Sequence, residues 1–310
     1  MAIRIPSAPN PAPQEAPPGL SSTQAVFEAA LARLFKRFLA EKVKIRNILE
    51  PMRARSYLFT LYMEYLYPTN RAWVGDLIRW MELLHFSEPA VRAAVSRSVK
   101  RGWIIPEKDG RRAYYRLSPR VAWQVEQVRG RLYTYGAPWD GQWRILVYTV
   151  PEAKRTVRDR FRNELILLGF GTPAPGVWVS PNSLLEAARD LVGFYGLQSY
   201  VELFQAERFS GTPPLELIEK SFNLKAAQAR YRAFLAQKQE RPRSPEEAFV
   251  RLTHLVHQAR KNLFLDPGLP PELTPPGFLG QQAKERFLAL YDQLSRQARP
   301  VFDPGSVAAD

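Results

Sequence analysis

The chain has 310 residues, of which 44 are basic and 30 acidic, giving a formal net charge of +14. It contains no cysteine, which excludes a disulfide framework, a thiolate metal site and a cysteine nucleophile. No apolar run reaches the roughly 18 residues that a transmembrane helix requires, and residues 1–20 lack the apolar core of a signal peptide. We therefore expect a cytoplasmic protein of two or three domains with no membrane partner.

The positive charge is concentrated in one segment. Residues 51–135 carry 15 basic and 7 acidic side chains, a net charge of +8, whereas residues 136–209 carry 8 of each. A net positive charge concentrated in one domain favours a polyanionic partner, and nucleic acid is a better candidate for that partner than a membrane surface.

The first 52 residues are predicted to be an extension of the folded protein. Residues 1–20, rich in Pro and Ala, are expected to be disordered. Ser21 and Gln24 are typical of a capping box that opens an amphipathic helix within residues 21–52. That helix either docks on a partner, including a second copy of the chain, or packs on its own chain, and the sequence leaves both open.

A helical unit is predicted to follow. The apolar spacing indicates a helix over residues 53–67, a short strand at Ala72–Val74, and a second helix around Leu77–Leu84. A third helix begins after Ser87, a favoured N-cap residue, and ends at Gly102, the usual left-handed C-terminal residue.

This third helix has two faces. Val91, Val95 and Val99 recur at helical spacing and predict a narrow apolar face. The rest of the helix is largely basic or small and polar. The residues that we expect on its exposed side are Arg92, Ser96, Arg97, Lys100 and Arg101.

A hairpin is predicted directly after this helix, with strands at Trp103–Ile105 and Ala113–Leu117 and a turn at Glu107–Gly110. Lys108, Arg111 and Arg112 would lie at or beside its tip. A basic helix followed by a hairpin with cations at its tip is typical of a winged helix-turn-helix, which we predict over residues 53–135. The alternative is a solvated basic helix beside an incidental hairpin.

On the DNA-binding interpretation, Arg97 would read bases, with Ser96 and Arg92 close by, because arginine can bond O6 and N7 of guanine together. The remaining cations are better placed for phosphate or a narrow minor groove. These are Lys100, Arg101, Lys108, Arg111 and Arg112.

Two further domains are predicted after a connecting helix and a linker at Gly136–Pro138. Over residues 139–209, the order strand, helix, strand or strand pair, helix, strand favours a ferredoxin-like α+β domain. Residues 212–310 are predicted to be helical, interrupted by a Pro-rich ordered loop at residues 264–280. The predicted fold class is therefore α+β.

An enzyme is the weaker interpretation. His254 and His257, spaced i, i+3 on a helix, could share a metal ion, but no third ligand is evident, so we expect neither a metal site nor catalytic residues. A metal-dependent nuclease built on the ferredoxin-like domain is one alternative. It would require clustered carboxylates at the end of the first strand, where Tyr148 and Thr149 stand instead. A DNA-binding protein without a ligand is another alternative.

Several blocks of the sequence, in order, resemble the PaaX-type repressors of phenylacetic acid degradation. They include RSYLFTLYMEYLYP from Arg55, SEPAVRAAVSRSVKRGW from Ser87, PWDGQWRILVYTVPEAK from Pro138 and, more weakly, LFLDPGLPPEL from Leu263. The resemblance covers residues 53–297. Two positions depart from the family pattern: His85 stands where Gly is usual, and Phe222 where Trp is frequent.

The resemblance implies a dimeric transcriptional repressor that binds a double-stranded operator and is released by an aryl-acyl-coenzyme A, typically phenylacetyl-CoA. Such an effector needs cations for its phosphates and an aromatic slot for its acyl group, and no other cofactor is expected. The candidates by residue type are Trp143, Arg144, Trp178, Arg260, Lys261 and Phe264. The alternative for the two tryptophans is that they are hydrophobic core residues without a role in ligand binding.

Overall fold

A computed structural model describes residues 53–134, 136–207 and 211–302 of the chain. The predicted disordered tail and the predicted helix within residues 21–52 lie outside these ranges.

The described chain begins with a compact helical unit. Helix α1 spans Ala54–Tyr65, α2 spans Val74–Leu83, and α3 spans Glu88–Lys100. The short strand β1, Arg71–Trp73, lies between the first two helices. It is shifted by one residue from its predicted position, because Val74 already belongs to α2.

A three-stranded antiparallel sheet completes this unit. Strand β2 spans Ile104–Asp109 and β3 spans Arg112–Leu117, and the two form the predicted hairpin. Strand β1 pairs with the other edge of β3, so the sheet order is β1-β3-β2. Helix, strand, helix, helix and hairpin, in this order and with this sheet, are the parts of a winged helix.

A left-handed residue ends both α2 and α3. Gly102 has φ of +66°, and the N–H groups of Gly102 and Trp103 donate to the carbonyls of Val99 and Ser98, at 2.8 and 2.9 Å. This is a Schellman motif, and the predicted C-terminal glycine is confirmed. His85 holds the equivalent position after α2 with φ of +63°, where the glycine usual in the family would be free of strain.

The central part of the chain is a four-stranded antiparallel sheet with two helices, reached through helix α4 at Pro119–Tyr133. Its strands are β4 (Trp143–Tyr148), β5 (Gly171–Ala174), β6 (Val177–Ser180) and β7 (Val201–Ala206). Helix α5 (Arg155–Leu168) follows β4, and α6 (Leu185–Tyr195) follows β6. The order β5-β6-β4-β7 with this connectivity is ferredoxin-like, and the predicted α+β class is confirmed.

The last part is helical, as predicted. Its helices are α7 (Pro214–Ser221), α8 (Leu224–Ala236), α9 (Pro245–Asn262) and α10 (Gly280–Phe302). Ser244 caps α9, because its hydroxyl accepts the N–H of Glu247 at 3.2 Å. Helix α10 runs five residues beyond its predicted end at residue 297. Its last turn is joined to α2 by a hydrogen bond, in which the indole N–H of Trp80 donates to the carbonyl of Val301 at 3.2 Å.

Helices α9 and α10 pack on the winged helix and share its core. Phe249, Leu252 and Val256 of α9 are fully buried in the same apolar cluster as Leu61 of α1 and Val91 of α3. Phe287 and Leu294 of α10 belong to that cluster too. The winged helix and helices α9 and α10 therefore form one packed body. The domain boundaries proposed from the sequence stay predictions.

A polar joint accompanies this apolar contact. The ring of Tyr57 on α1 stacks on His257 of α9, with centroids 3.9 Å apart, and its hydroxyl is 2.7 Å from Nδ1 of His254. The hydroxyl of Thr60 is 2.9 Å from Nδ1 of His257. Burial and, secondarily, the positive charge of Arg260 lower the pKa of His257 to about 2. The joint is therefore built around a neutral imidazole.

This geometry predicts how stability depends on pH. An unfolded histidine has a pKa of about 6.5, so the stabilisation by neutral His257 is complete above that pH and is lost as the pH falls below it. We expect the free energy of unfolding of His257→Gln to decline less steeply than that of the wild type between pH 6.5 and 4.5. The difference is up to about 1.4 kcal/mol per pH unit, the value for one proton. Urea denaturation at each pH measures both curves.

The two curves should run parallel above pH 7, where neither state takes up a proton at residue 257. Curves that stay parallel down to pH 4.5 would show that folded His257 binds a proton as easily as the unfolded residue does.

Candidate nucleic-acid interface

The apolar face of α3 fixes how this helix is presented. Val91, Ala94 and Val95 are buried, and α3 packs against both α1 and α2. Ser98, also buried, donates its hydroxyl to the carbonyl of Ala94 at 2.8 Å, so its polar group is satisfied within the helix. The valine face thus points into the core as predicted, and the basic face points outward.

The cations on the outward face of α3 differ from one another in whether they have an ion-pair partner. Arg92 is paired with Glu88 one turn earlier, at 2.6 Å. Arg97 and Lys100 are exposed, and in the described part of the chain neither takes part in an ion pair or a side-chain hydrogen bond. Ser96 is exposed beside Arg97. Arg97 can therefore contact a ligand directly, whereas Arg92 must first exchange its contact with Glu88.

The hairpin is longer than predicted. Strand β2 continues to Asp109, which pairs with Arg112, so the turn consists of Gly110 and Arg111 alone. The predicted turn over Glu107–Gly110 is therefore wrong, because Glu107 is still within the ladder, opposite Tyr114. Sequence propensity at Pro106 and Glu107 favours a turn, and cross-strand pairing overrides it.

The two carboxylates of the hairpin strand β2 are paired with arginines. Glu107 pairs with Arg71 at 3.0 Å and with Arg116 at 2.7 Å, and Asp109 pairs with Arg71 at 2.9 Å. Arg71 is not identified from the sequence as an ion-pair partner of the hairpin. Only the position of β1 beside β3 brings it to these carboxylates, so no local pattern could have revealed it.

The tip of the hairpin is left basic. Lys108 and Arg111 are exposed and, among the residues that the structure describes, have neither an ion pair nor a side-chain hydrogen bond. Arg112 is also exposed and lies over the ring of Trp73, 4.8 Å from its centroid. The structure thus presents cations on α3 and on the hairpin of one small unit, which suits a polyanion with two separated contact sites.

The residues proposed for an effector lie in different packing environments. Trp178 is 1% exposed and packs with Leu146 on the face of the sheet that α5 and α6 cover. Trp143 is 2% exposed and packs on the opposite face with Val179. Arg144 is buried, and its guanidinium donates to Asp140 at 2.8 Å.

The other three candidates lie at the end of α9 and just beyond it. Arg260 is 8% exposed and donates to the carbonyl and the hydroxyl of Ser56, at 3.2 and 2.9 Å. It also lies over the ring of Phe59, 5.3 Å from the centroid. Arg260 thereby joins α9 to α1, and Lys261 and Phe264 are half-buried nearby in the chain. Effector binding by these six residues stays a prediction.

The two histidines of α9 serve the joint with α1, through their contacts with Tyr57 and Thr60. Within the described ranges, no group of three or more His, Asp or Glu side chains is arranged to hold a metal ion. Within the same ranges, no helix combines the length and the apolar character needed to span a bilayer.

Three family models match successive parts of the chain. A model described as PaaX-like protein matches residues 53–121, one for the PaaX protein central Cas2-like domain matches residues 136–218, and one for the PaaX-like protein C-terminal domain matches residues 222–304. The chain is 29% identical over 262 residues to the transcriptional repressor PaaX of Escherichia coli (strain K12), covering 80% of this chain and 82% of that protein. Among solved structures, the uncharacterized protein Rv0674 from Mycobacterium tuberculosis is 22% identical, with a TM-score of 0.48, covering 80% of this chain and 98% of that one.

The free charge of Arg97 predicts a sequence-specific effect on DNA. We expect Arg97→Ala to weaken binding to a duplex selected by the wild type by roughly 1–3 kcal/mol and to flatten the preference at one base pair. Fluorescence anisotropy with the selected duplex and with its single-base variants measures both effects. Lys225→Ala, on an exposed position of α8, is the control. An equal loss on random DNA would remove Arg97 from the base-reading role.

The exposed tip of the hairpin predicts a different effect. We expect Arg111→Ala to weaken binding to all duplexes alike and to reduce the slope of log affinity against log salt concentration by about one, since one phosphate contact is lost. Titrations at four or more salt concentrations determine the slope. If the variant keeps the wild-type slope, Arg111 does not contact phosphate.

Proposed function

The chain belongs to the family of PaaX-like transcription regulators, and from this premise we propose that it is a cytoplasmic repressor that binds an operator in double-stranded DNA. The proposed operator controls genes for the catabolism of phenylacetate or a related aromatic acid. The effector that releases the protein is an aryl-acyl-coenzyme A. The proposal involves no catalytic step.

The observation that carries the DNA-binding part is the set of exposed cations on one rigid unit. Arg97 and Lys100 on α3 and Lys108 and Arg111 on the hairpin lack ion-pair partners in the described part of the chain. Carboxylates on the same surface are tied to other arginines, as Glu107 is to Arg71. Phosphates would meet these cations without first displacing an internal partner, and the release of condensed counterions from DNA would then drive binding.

A homodimer is part of the proposal. One α3 can cover only a few base pairs of the major groove, which gives little discrimination among genomic sites. Two copies related by a two-fold axis would read two half-sites about one helical turn apart. The operator is therefore expected to be an inverted repeat.

The proposed release by an effector requires a ligand that binds the DNA-incompetent arrangement more tightly than the competent one. Helices α9 and α10 share a core with the winged helix, so the three would move together. The ferredoxin-like domain would be the second body. The contacts between these bodies include Arg120 of α4 with Glu164 of α5 and Tyr195 of α6, and the ring of Trp123 with Phe194, 5.2 Å apart. A shift in these contacts is how a ligand on the ferredoxin-like domain would reach α3.

Trp143 supports an aryl group on the face of the sheet opposite to α5 and α6, where it is packed in an apolar cluster. Its ring is surrounded by Trp139, Ile145 and Phe222, and its indole N–H has no acceptor among the described residues. A ligand carbonyl could accept that N–H, and the neighbouring rings could pack against an aromatic acyl group. Arg144 follows Trp143 directly but is engaged by Asp140, so a coenzyme A phosphate would have to compete with that carboxylate.

The test is selection of bound duplexes from a random pool, with and without phenylacetyl-CoA. We expect recovery of an inverted repeat without the effector and at least a tenfold loss of affinity when it is present. Acetyl-CoA and free coenzyme A are the matched controls, since they keep the phosphates and lack the aryl group. If no sequence is enriched, the proposed operator binding is wrong. If a sequence is enriched and phenylacetyl-CoA does not change its affinity, only the proposed release by an aryl-acyl-coenzyme A is wrong.

A further inference from the structure

A single tryptophan supports two guanidinium groups at the C-terminal end of α3. The Cζ atom of Arg55, on α1, lies 5.0 Å from the ring centroid of Trp103, and that of Arg101 lies 5.7 Å from the same centroid. Contact with an aromatic face holds a guanidinium in place without neutralising its charge. Trp103 therefore positions two cations from different helices beside each other.

Further cations surround this pair. Burial lowers the pKa of Arg55, and the positive charges of Arg101, Arg53 and Arg97 lower it further. No carboxylate contributes to the environment of Arg55 in the part of the chain that the structure describes, and Arg55, Arg97 and Arg101 form no ion pair there. Like charges held this close repel one another, and an anion placed among them would relieve the repulsion.

Helix dipoles do not account for the arrangement. Arg97 and Arg101 lie near the C-terminal end of α3, where a cation is favourable. Arg55 lies in the first turn of α1, the positive end of that helix, and this turn contains no acidic residue. A cation at this place is unfavourable for the isolated helix, so the reason for it lies outside α1.

We propose that Arg55 and Arg101, both held on the ring of Trp103, bind a phosphate of the DNA backbone beside the groove that α3 enters. The inference rests on the proposed function and extends the interface from α3 and the hairpin to α1. DNA fits better than a free anion because Arg97, whose charge acts on Arg55, belongs to the exposed basic face of α3, so the site is continuous with the face proposed to read bases. Planar guanidinium groups suit bidentate contact with phosphate oxygens.

The site also borders the joint with the C-terminal helices. Arg55 is followed directly by Ser56, which accepts hydrogen bonds from Arg260 of α9. A phosphate held by Arg55 would therefore be bound one residue away from the contact between α1 and α9. Displacement of α9 would move the DNA contact with it.

The test compares Arg55→Gln with Arg55→Lys in anisotropy titrations at several salt concentrations, on the duplex selected by the wild type and on random DNA. We expect Arg55→Gln to lower the slope of log affinity against log salt concentration by about one and to weaken both duplexes alike. Arg55→Lys should keep most of the slope, because it keeps the charge. Arg189→Gln, on the exposed surface of α6 where Arg189 pairs with Glu186, is the control.

Arg101→Gln provides a second variant on the other side of the same ring, should the change at residue 55 impair folding as judged by circular dichroism. It should give the same loss of slope. A wild-type slope in both glutamine variants would overturn the inference while the proposed function stands. A wild-type protein that binds no duplex at any salt concentration would instead contradict the proposed function itself.

Discussion

The packing of α9 against α1 is the contact on which the arrangement of the protein depends. Apolar side chains of α9 complete the core of the winged helix, and Phe249 and Leu252 have no exposed surface at all. Burial of that extent is the dominant favourable term in folding. A three-helix unit with a small sheet has limited apolar surface to bury by itself, so the C-terminal helices contribute to its stability as well as to its orientation.

The polar groups at the same contact define its geometry. Tyr57, Thr60 and Ser56 are three α1 residues that bond to His254, His257 and Arg260 of α9, residues spaced three apart on one helical face. Hydrophobic packing is largely non-directional, whereas hydrogen bonds fix which residues face each other. The buried imidazole and the buried guanidinium therefore set the register between the two helices, at the cost of their own desolvation.

The buried charged side chains Glu64 and Arg131 have hydrogen-bond partners inside the protein, whereas several cations on one surface have none among the described residues. Glu64, buried between α1, α4 and α10, accepts hydrogen bonds from Tyr133 and Tyr291. Arg131 donates to carbonyls of the chain, including that of Asp266 at 2.6 Å, instead of to a carboxylate. By contrast, Arg97 and Lys100 of α3 and Lys108 and Arg111 of the hairpin are exposed and form no ion pair within the described residues. The contrast between hydrogen-bonded buried charges and these exposed cations favours a polyanionic partner.

Local patterns in the sequence predict the winged helix, the chain order of strands and helices in the ferredoxin-like domain and the exposure of Arg97 and Arg111. These features depend on the valine spacing, the capping residues, the left-handed Gly102 and the alternation of short strands with turns. Three contacts are visible only in the folded protein: α9 belongs to the core of the winged helix, Arg71 pairs with the carboxylates of the hairpin, and Arg55 lies beside Arg101 on Trp103. The partners in each of these contacts are distant in sequence, or lie on different elements, and no periodicity within one segment encodes which face of a helix will meet another. Trp143 and Trp178 are a further example. The sequence gives no reason to distinguish the two tryptophans, whereas the sheet places them on opposite faces.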